Sequence, residues 1–142
     1  MTILSAIQRL QTLALACSSS DVTIRRAPDY PVEDASILPM SIAHMTSGTG
    51  NANNATTLQF MPVVNVDFHF NRAFLKEAYA DIDEIALTFS QRLAGDPNLN
   101  GTVDTVVFPV SFEVGVVEYD AITTLMLRFS VPLKTLETPI ST

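Results

Sequence analysis

Cysteine is nearly absent from this chain. A single residue, Cys17, among 142 rules out an internal disulfide framework and fits a reducing compartment. Basic residues are scarce too: eight Lys and Arg stand against fifteen Asp and Glu, a net charge of -7. Affinity for nucleic acid rests on Lys and Arg displacing counterions from phosphates, so this balance argues against tight binding of DNA or RNA. An acidic wall would still let DNA pass by repelling it. No apolar run approaches the ~18–20 residues of a bilayer span. There is no Gly-x-Ser-x-Gly elbow, and no spacing suggests a Cys–His nucleophile. What is present is a globular composition, 47% hydrophobic, long enough to build one core in one domain covering residues 1–142.

The segment Leu13-Ala14-Leu15-Ala16-Cys17 imitates a bacterial lipoprotein cleavage site. The apolar stretch before it is broken by Gln8, Arg9, Gln11 and Thr12, and no positive residue precedes Arg9. Ile3, Ile7, Leu10 and Ala14 fall on one helical face, so an amphipathic helix over residues 2–17 is the better expectation. A short strand over 22–26 follows, then a loop rich in proline and acid. A second strand spans 37–45 with Pro39 near its start. Residues 46–57, Thr-Ser-Gly-Thr-Gly-Asn-Ala-Asn-Asn-Ala-Thr-Thr, are polar and small, and their composition predicts a mobile loop.

Residues 58–70 form a third strand. Val64, Val66, Phe68 and Phe70 share one face; Val63, Asn65, Asp67 and His69 share the other. Asn71 is placed to cap a helix and Phe70 to staple onto Leu75. That helix carries Phe74, Leu75, Ala78, Tyr79, Ile82, Ile85, Phe89 and Leu93 as an apolar stripe and stops at Gly95 and Pro97. A long C-terminal hairpin closes the chain. Its first arm presents Val106, Phe108, Val110, Phe112, Val114 and Val116 to one side, and its second presents Leu125, Leu127, Phe129, Val131 and Leu133. Residues 118–121 make the turn. The expected fold is α+β, a mostly antiparallel sheet with two helices packed on one face.

Three motifs invite chemistry. Asp96, Asn98, Asn100, Gly101 and Asp104 sit at calcium-loop spacing, yet position twelve is Val107 rather than a bidentate Glu, so a helix stop and turn is favoured. His44 would lie opposite about Gln59 if the two strands pair through the 46–57 loop. That puts His69 ~33 Å away at ~3.3 Å per residue, too far to share a metal, and leaves His69 and Asp67 as a solvated or interface pair. Gly48-Thr49-Gly50 only echoes a dinucleotide turn, because Asn53 stands where the third glycine belongs. Glu77, Asp81 and Glu84 form an acidic stripe on the outer side of the second helix, by default a solvated face. No catalytic, metal or cofactor site is assigned, and the chain is read as a non-enzyme whose work is done by its surfaces. Candidate interface residues are Gly48, Gly50, Asn51, Asn53 and Asn54 of the polar segment with Glu77, Asp81 and Glu84.

Several strings, in their order, resemble the tail terminator proteins of long-tailed bacteriophages. They are Asp29-Tyr30-Pro31-Val32-Glu33-Asp34 leading to Leu38-Pro39-Met40-Ser41-Ile42, then Val64-Asn65-Val66-Asp67-Phe68-His69-Phe70-Asn71-Arg72. Leu93-Ala94-Gly95-Asp96-Pro97-Asn98-Leu99-Asn100-Gly101 and Val103-Asp104-Thr105-Val106 follow. The resemblance implies a homo-oligomeric ring, typically a hexamer, in the virion at the head–tail junction and assembled in the host cytoplasm. It would cap the tail tube protein, stop polymerisation and meet a head completion or neck protein. Viral DNA would pass through without specific binding, and no membrane would be involved. The residues themselves leave open another neck or tail ring protein, a small bacterial binding module or lipoprotein, and an enzyme whose site forms between subunits.

Overall fold

Period-two alternation builds most of this molecule, and the long strands set its dimensions. The computed structural model describes residues 3–17, 24, 27–28, 38–72, 75–119 and 122–140. The elements are α1 (Ile3–Leu15), β1 (Met40–Asn54), β2 (Thr57–Asn71), α2 (Leu75–Ala94), β3 (Thr105–Val106), β4 (Ser111–Tyr119) and β5 (Ile122–Glu137). All strands pair antiparallel in the order β1-β2-β5, with β3 and β4 both along the far side of β5. Both helices cover the same face, so the fold is α+β as expected.

The helix face of the sheet carries Val64, Val66, Phe68 and Phe70 from β2 against Leu125, Leu127, Phe129 and Val131 from β5, all buried. Phe68, Phe89 and Phe129 meet edge-on, with Phe89 4.8 Å from Phe129 and 5.3 Å from Phe68 between ring centroids. This is the favoured aromatic geometry, and it pins α2 over β2 and β5. α1 is held over β1 partly by polar contacts. The buried Gln11 amide donates to the Ser41 and Pro28 carbonyls, and its Oε1 accepts from Ser41 Oγ at 2.7 Å. Arg9 donates to Asp96 at 2.8 Å, tying α1 to the turn after α2.

Residues 46–57 are not a loop. Residues 46–54 are the second half of β1, and the turn is only Ala55 and Thr56. Asn54 Oδ1 closes it by accepting from the Thr56 backbone N–H and hydroxyl. Small polar residues of low strand propensity are held here because the backbone ladder to β2 pairs those N–H and C=O groups that face it, whatever the side chains are. Gly48 has a steric reason: a Cβ there would stand 2.9 Å from Pro62 Cα. A composition that reads as looseness is at that position a requirement for close approach.

The C-terminal hairpin is also less regular than its alternation predicts. Val106 pairs with Leu133 in β3, and Ser111 pairs with Ser130 in β4. Four residues therefore oppose two between them, and this bulge turns Phe108 outward while Val106 stays buried. Asn71 ends β2 opposite Thr124 rather than opening a helix. Phe70 points into the core while Leu75 remains exposed, so no staple forms. The expected strand over 22–26 lies outside the described residues, apart from a buried Ile24 that is not in a strand. Phe74 and the tip of the last hairpin also lie outside them.

Two outcomes follow from this packing. Phe129→Ala should destabilise the subunit by about 3–5 kcal/mol in chemical denaturation, because three rings would lose their shared contact; a change under 1 kcal/mol would contradict it. Cys17 is buried, its Sγ within 3.3 Å of the Leu13 carbonyl, and burial pushes its thiol up to about 11 despite the lowering influence of Arg92. Native protein should therefore react with a thiol reagent only as fast as it unfolds, and rapid modification at neutral pH would show the thiol is accessible.

Candidate functional site

The sheet ends in an edge that nothing covers among the described residues. Phe112, Val114 and Val116 of β4 pair with Phe129, Leu127 and Leu125 of β5 and so point to the same helix face. The β5 partners are 0% exposed, whereas Phe112, Val114 and Val116 are 53%, 43% and 51% exposed. One strand further out, the same face has changed from core to surface. The reason is the width of the helical layer: α1 packs over β1 and β2, and α2 over β2 and β5. Tyr79 and Leu87 of α2 add exposed apolar surface. Helical spacing puts Tyr79 on the opposite flank from Glu77 and Asp81. Those two carboxylate residues line a cleft with Pro39 and Phe70 on the β1 side, so Tyr79 leans toward β4.

β1 provides the second edge. From Met45 to Asn54 it has no charge and no proline, and it is exposed from Met45 outward. Gly48, Gly50, Asn51 and Asn54 of the candidate set therefore lie together on one long strand; the side chain of Asn53 lies outside the described residues. Glu77 is exposed and Asp81 half-buried beside Leu38 and Pro39 at the start of β1, and Glu84, also half-buried, lies further along α2. The structure thus separates the eight candidates into two groups.

The face of the sheet away from the helices carries the polar groups. Asp67 accepts two hydrogen bonds from Arg128, at 2.8 and 3.0 Å, and Glu113 of β4 stands opposite the same arginine. The hydrogen bond to Asp67 holds the guanidinium firmly protonated, with its pKa above the ordinary value. His69 Nδ1 lies 2.8 Å from Thr124 Oγ1, both buried. Asp67 and His69 are therefore not a solvated pair. His44 pairs with Asn65, not with a residue near 59, because β1 runs on to Asn54 and the turn is confined to Ala55 and Thr56. It is then only ~13 Å along the strand from His69, and both line a cavity of about 240 Å³ with Asp67, Met126 and Arg128. His44 Nδ1 is buried there without a hydrogen-bond partner among the described residues. The calcium-like segment spends its carboxylates internally: Asp96 on Arg9 and the Asn100 N–H, Asp104 on the Leu136 N–H. Among the described residues no three His, Cys, Asp or Glu converge as metal ligands, and no helix is long and apolar enough to cross a membrane.

Sequence reasoning reached the alternation of Asp67 and His69 but missed Arg128 as the partner. The signal available was a lone arginine in an otherwise uncharged stretch of β5. Neither the protein-family models nor the curated proteins match this chain.

Burial lowers the His69 pKa, with Asp67 opposing and Arg128 assisting. The unfolded state, titrating near ~6.5, then binds protons first as pH falls. Stability should be full above about pH 6.5 and decline below it toward the folded pKa. His69→Gln, which can keep a contact to Thr124, should flatten that decline in urea titrations between pH 7 and 5; an unchanged slope would remove His69 as its source.

Proposed function

We propose that this chain is a ring-forming structural subunit of a phage tail, of the tail-terminator kind, capping the head-proximal end of the tube and joining it to the head. The observation that carries this reading is the row of Phe112, Val114 and Val116, core-like side chains left open at a sheet edge. Soluble subunits seldom leave such an edge unguarded unless it is filled in an assembly. The net charge of -7 suits a wall past which DNA slides without sticking. The resemblance in the local strings supplies the terminator assignment within the class of ring proteins.

A binding module is the rival reading, and the cavity beside His44 and His69 is its best support. At about 240 Å³ it falls below the ~300–1,000 Å³ of typical small-molecule sites, and Asp67 and Arg128 are already committed to each other. The ring reading therefore stands first.

Native mass measurement and imaging of assembled tails test it. The expected result is a closed cyclic oligomer at the head-proximal end of each tube, and tails of irregular length when the protein is omitted. A single copy per particle, or tails of normal length without it, would overturn the proposal.

A further inference from the structure

The polar face of the sheet holds a groove of side-chain size. We infer that this groove docks another protein by taking up one of its tyrosine side chains, with the hydroxyl on His44 Nδ1. The inference concerns a single subunit, so it goes beyond the ring reading and does not depend on it.

The groove crosses all four long strands. Its lining includes Ile42 and His44 of β1, Asp67 of β2, Met126 and Arg128 of β5 and Val117 of β4. The register lays His44, Asp67 and Met126 along a diagonal that ends beside Gly115, the β4 partner of Met126. Gly115 shares this face with Glu113 and Val117. Nothing lies within 4 Å of where its Cβ would stand, so no contact in the subunit requires glycine there. Glycine inside a strand weakens it and often marks where a ligand or another backbone comes close. With no side chain at this point the β4 wall is low, and a foreign chain can enter over it.

Charge and size narrow the occupant. Asp67 and Arg128 neutralise each other through two hydrogen bonds, and His69 is engaged with Thr124. An entering cation would meet Arg128, and an anion would meet Asp67 with Glu113 beyond it, so a neutral group fits best. The volume of about 240 Å³ is below the ~300–1,000 Å³ of sites for free small molecules. It suits one side chain presented by a larger molecule.

Three contacts select an aromatic ring with a polar tip. Met126 offers a thioether, which packs well against ring edges. Arg128 is held edge-on by Asp67 and keeps the flat face of its guanidinium for stacking. His44 Nδ1 is buried with no hydrogen-bond partner among the described residues, an arrangement that costs free energy until a partner arrives. A phenol hydroxyl both donates and accepts, so it suits this nitrogen in either tautomer, whereas an indole N–H only donates. Tyrosine is the side chain that answers all three groups.

NMR titration of the full chain, labelled in its methionine methyls and histidine rings, tests this. The probes are p-cresol (the tyrosine side chain), toluene, and blocked glycyl-tyrosyl-glycine. p-Cresol should bind in the millimolar range expected of so small a ligand, moving the Met126 and His44 signals together. It should bind about fivefold more tightly than toluene. His44→Phe should erase that preference with the thermal midpoint unchanged or raised. Gly115→Val puts a strand-favouring side chain where nothing is crowded, so it should keep the fold yet lose the tripeptide. Equal binding of toluene and p-cresol, or a preference that survives His44→Phe, would overturn the tyrosine assignment. Tripeptide binding undiminished by Gly115→Val would overturn the approach over β4. If the protein alone shows the bound signals and loses them on dilution, a second copy fills the groove and the foreign partner is ruled out.

Discussion

The pairing of β2 with β5 is the constraint on which the rest of the subunit depends. It runs in unbroken register from Leu58 opposite Glu137 to Asn71 opposite Thr124. Its helix face contributes Phe68, Phe70, Leu127 and Phe129, each essentially inaccessible to solvent. Its other face contributes the Asp67–Arg128 pair. A slip of one residue would exchange these two sets, burying a salt bridge under α2 and exposing the phenylalanines. The alternation therefore selects one register, and helices, edges and the polar face take their positions from it.

Each side of that central pair is built for a different purpose. Toward β1 the sheet is overlaid by α1 through Gln11 and Ser41, then runs out into an uncharged arm. Toward β4 the helical layer stops one strand early, and the apolar pattern of a core continues where no core exists. Among the described residues two helices cover a sheet four strands wide. The deficit falls on β4, whose Phe112, Val114 and Val116 stay exposed on the helix face.

The polar face carries buried groups that are hydrogen-bonded to one another. Asp67 with Arg128, and His69 with Thr124, cross the same two central strands. Breaking one partner of such a pair leaves a buried polar or charged group uncompensated, so they specify register as much as they stabilise it. Glu113 extends this face to the edge strand beside Arg128.

Sequence alone determined what local periodicity encodes. The 3.6-residue stripe through Ala78, Ile82, Ile85, Phe89 and Leu93 marks α2, and the stop at Gly95 falls where the structure places it. Two-residue alternation in 64–70 and 125–133 marks two strands and assigns each side chain its face. Tertiary structure decided everything that depends on which strand lies beside which. The polar segment after Met45 has no strand periodicity of its own and becomes strand because β2 offers it a ladder. That pairing moves the hairpin turn to Ala55 and Thr56, shifts His44 opposite Asn65, and makes Gly48 a steric necessity. The partner of Asp67 and the exposure of Phe112 are likewise non-local. A buried Phe129 and an exposed Phe112 have the same local pattern, and only the width of the helical layer above them separates core from surface.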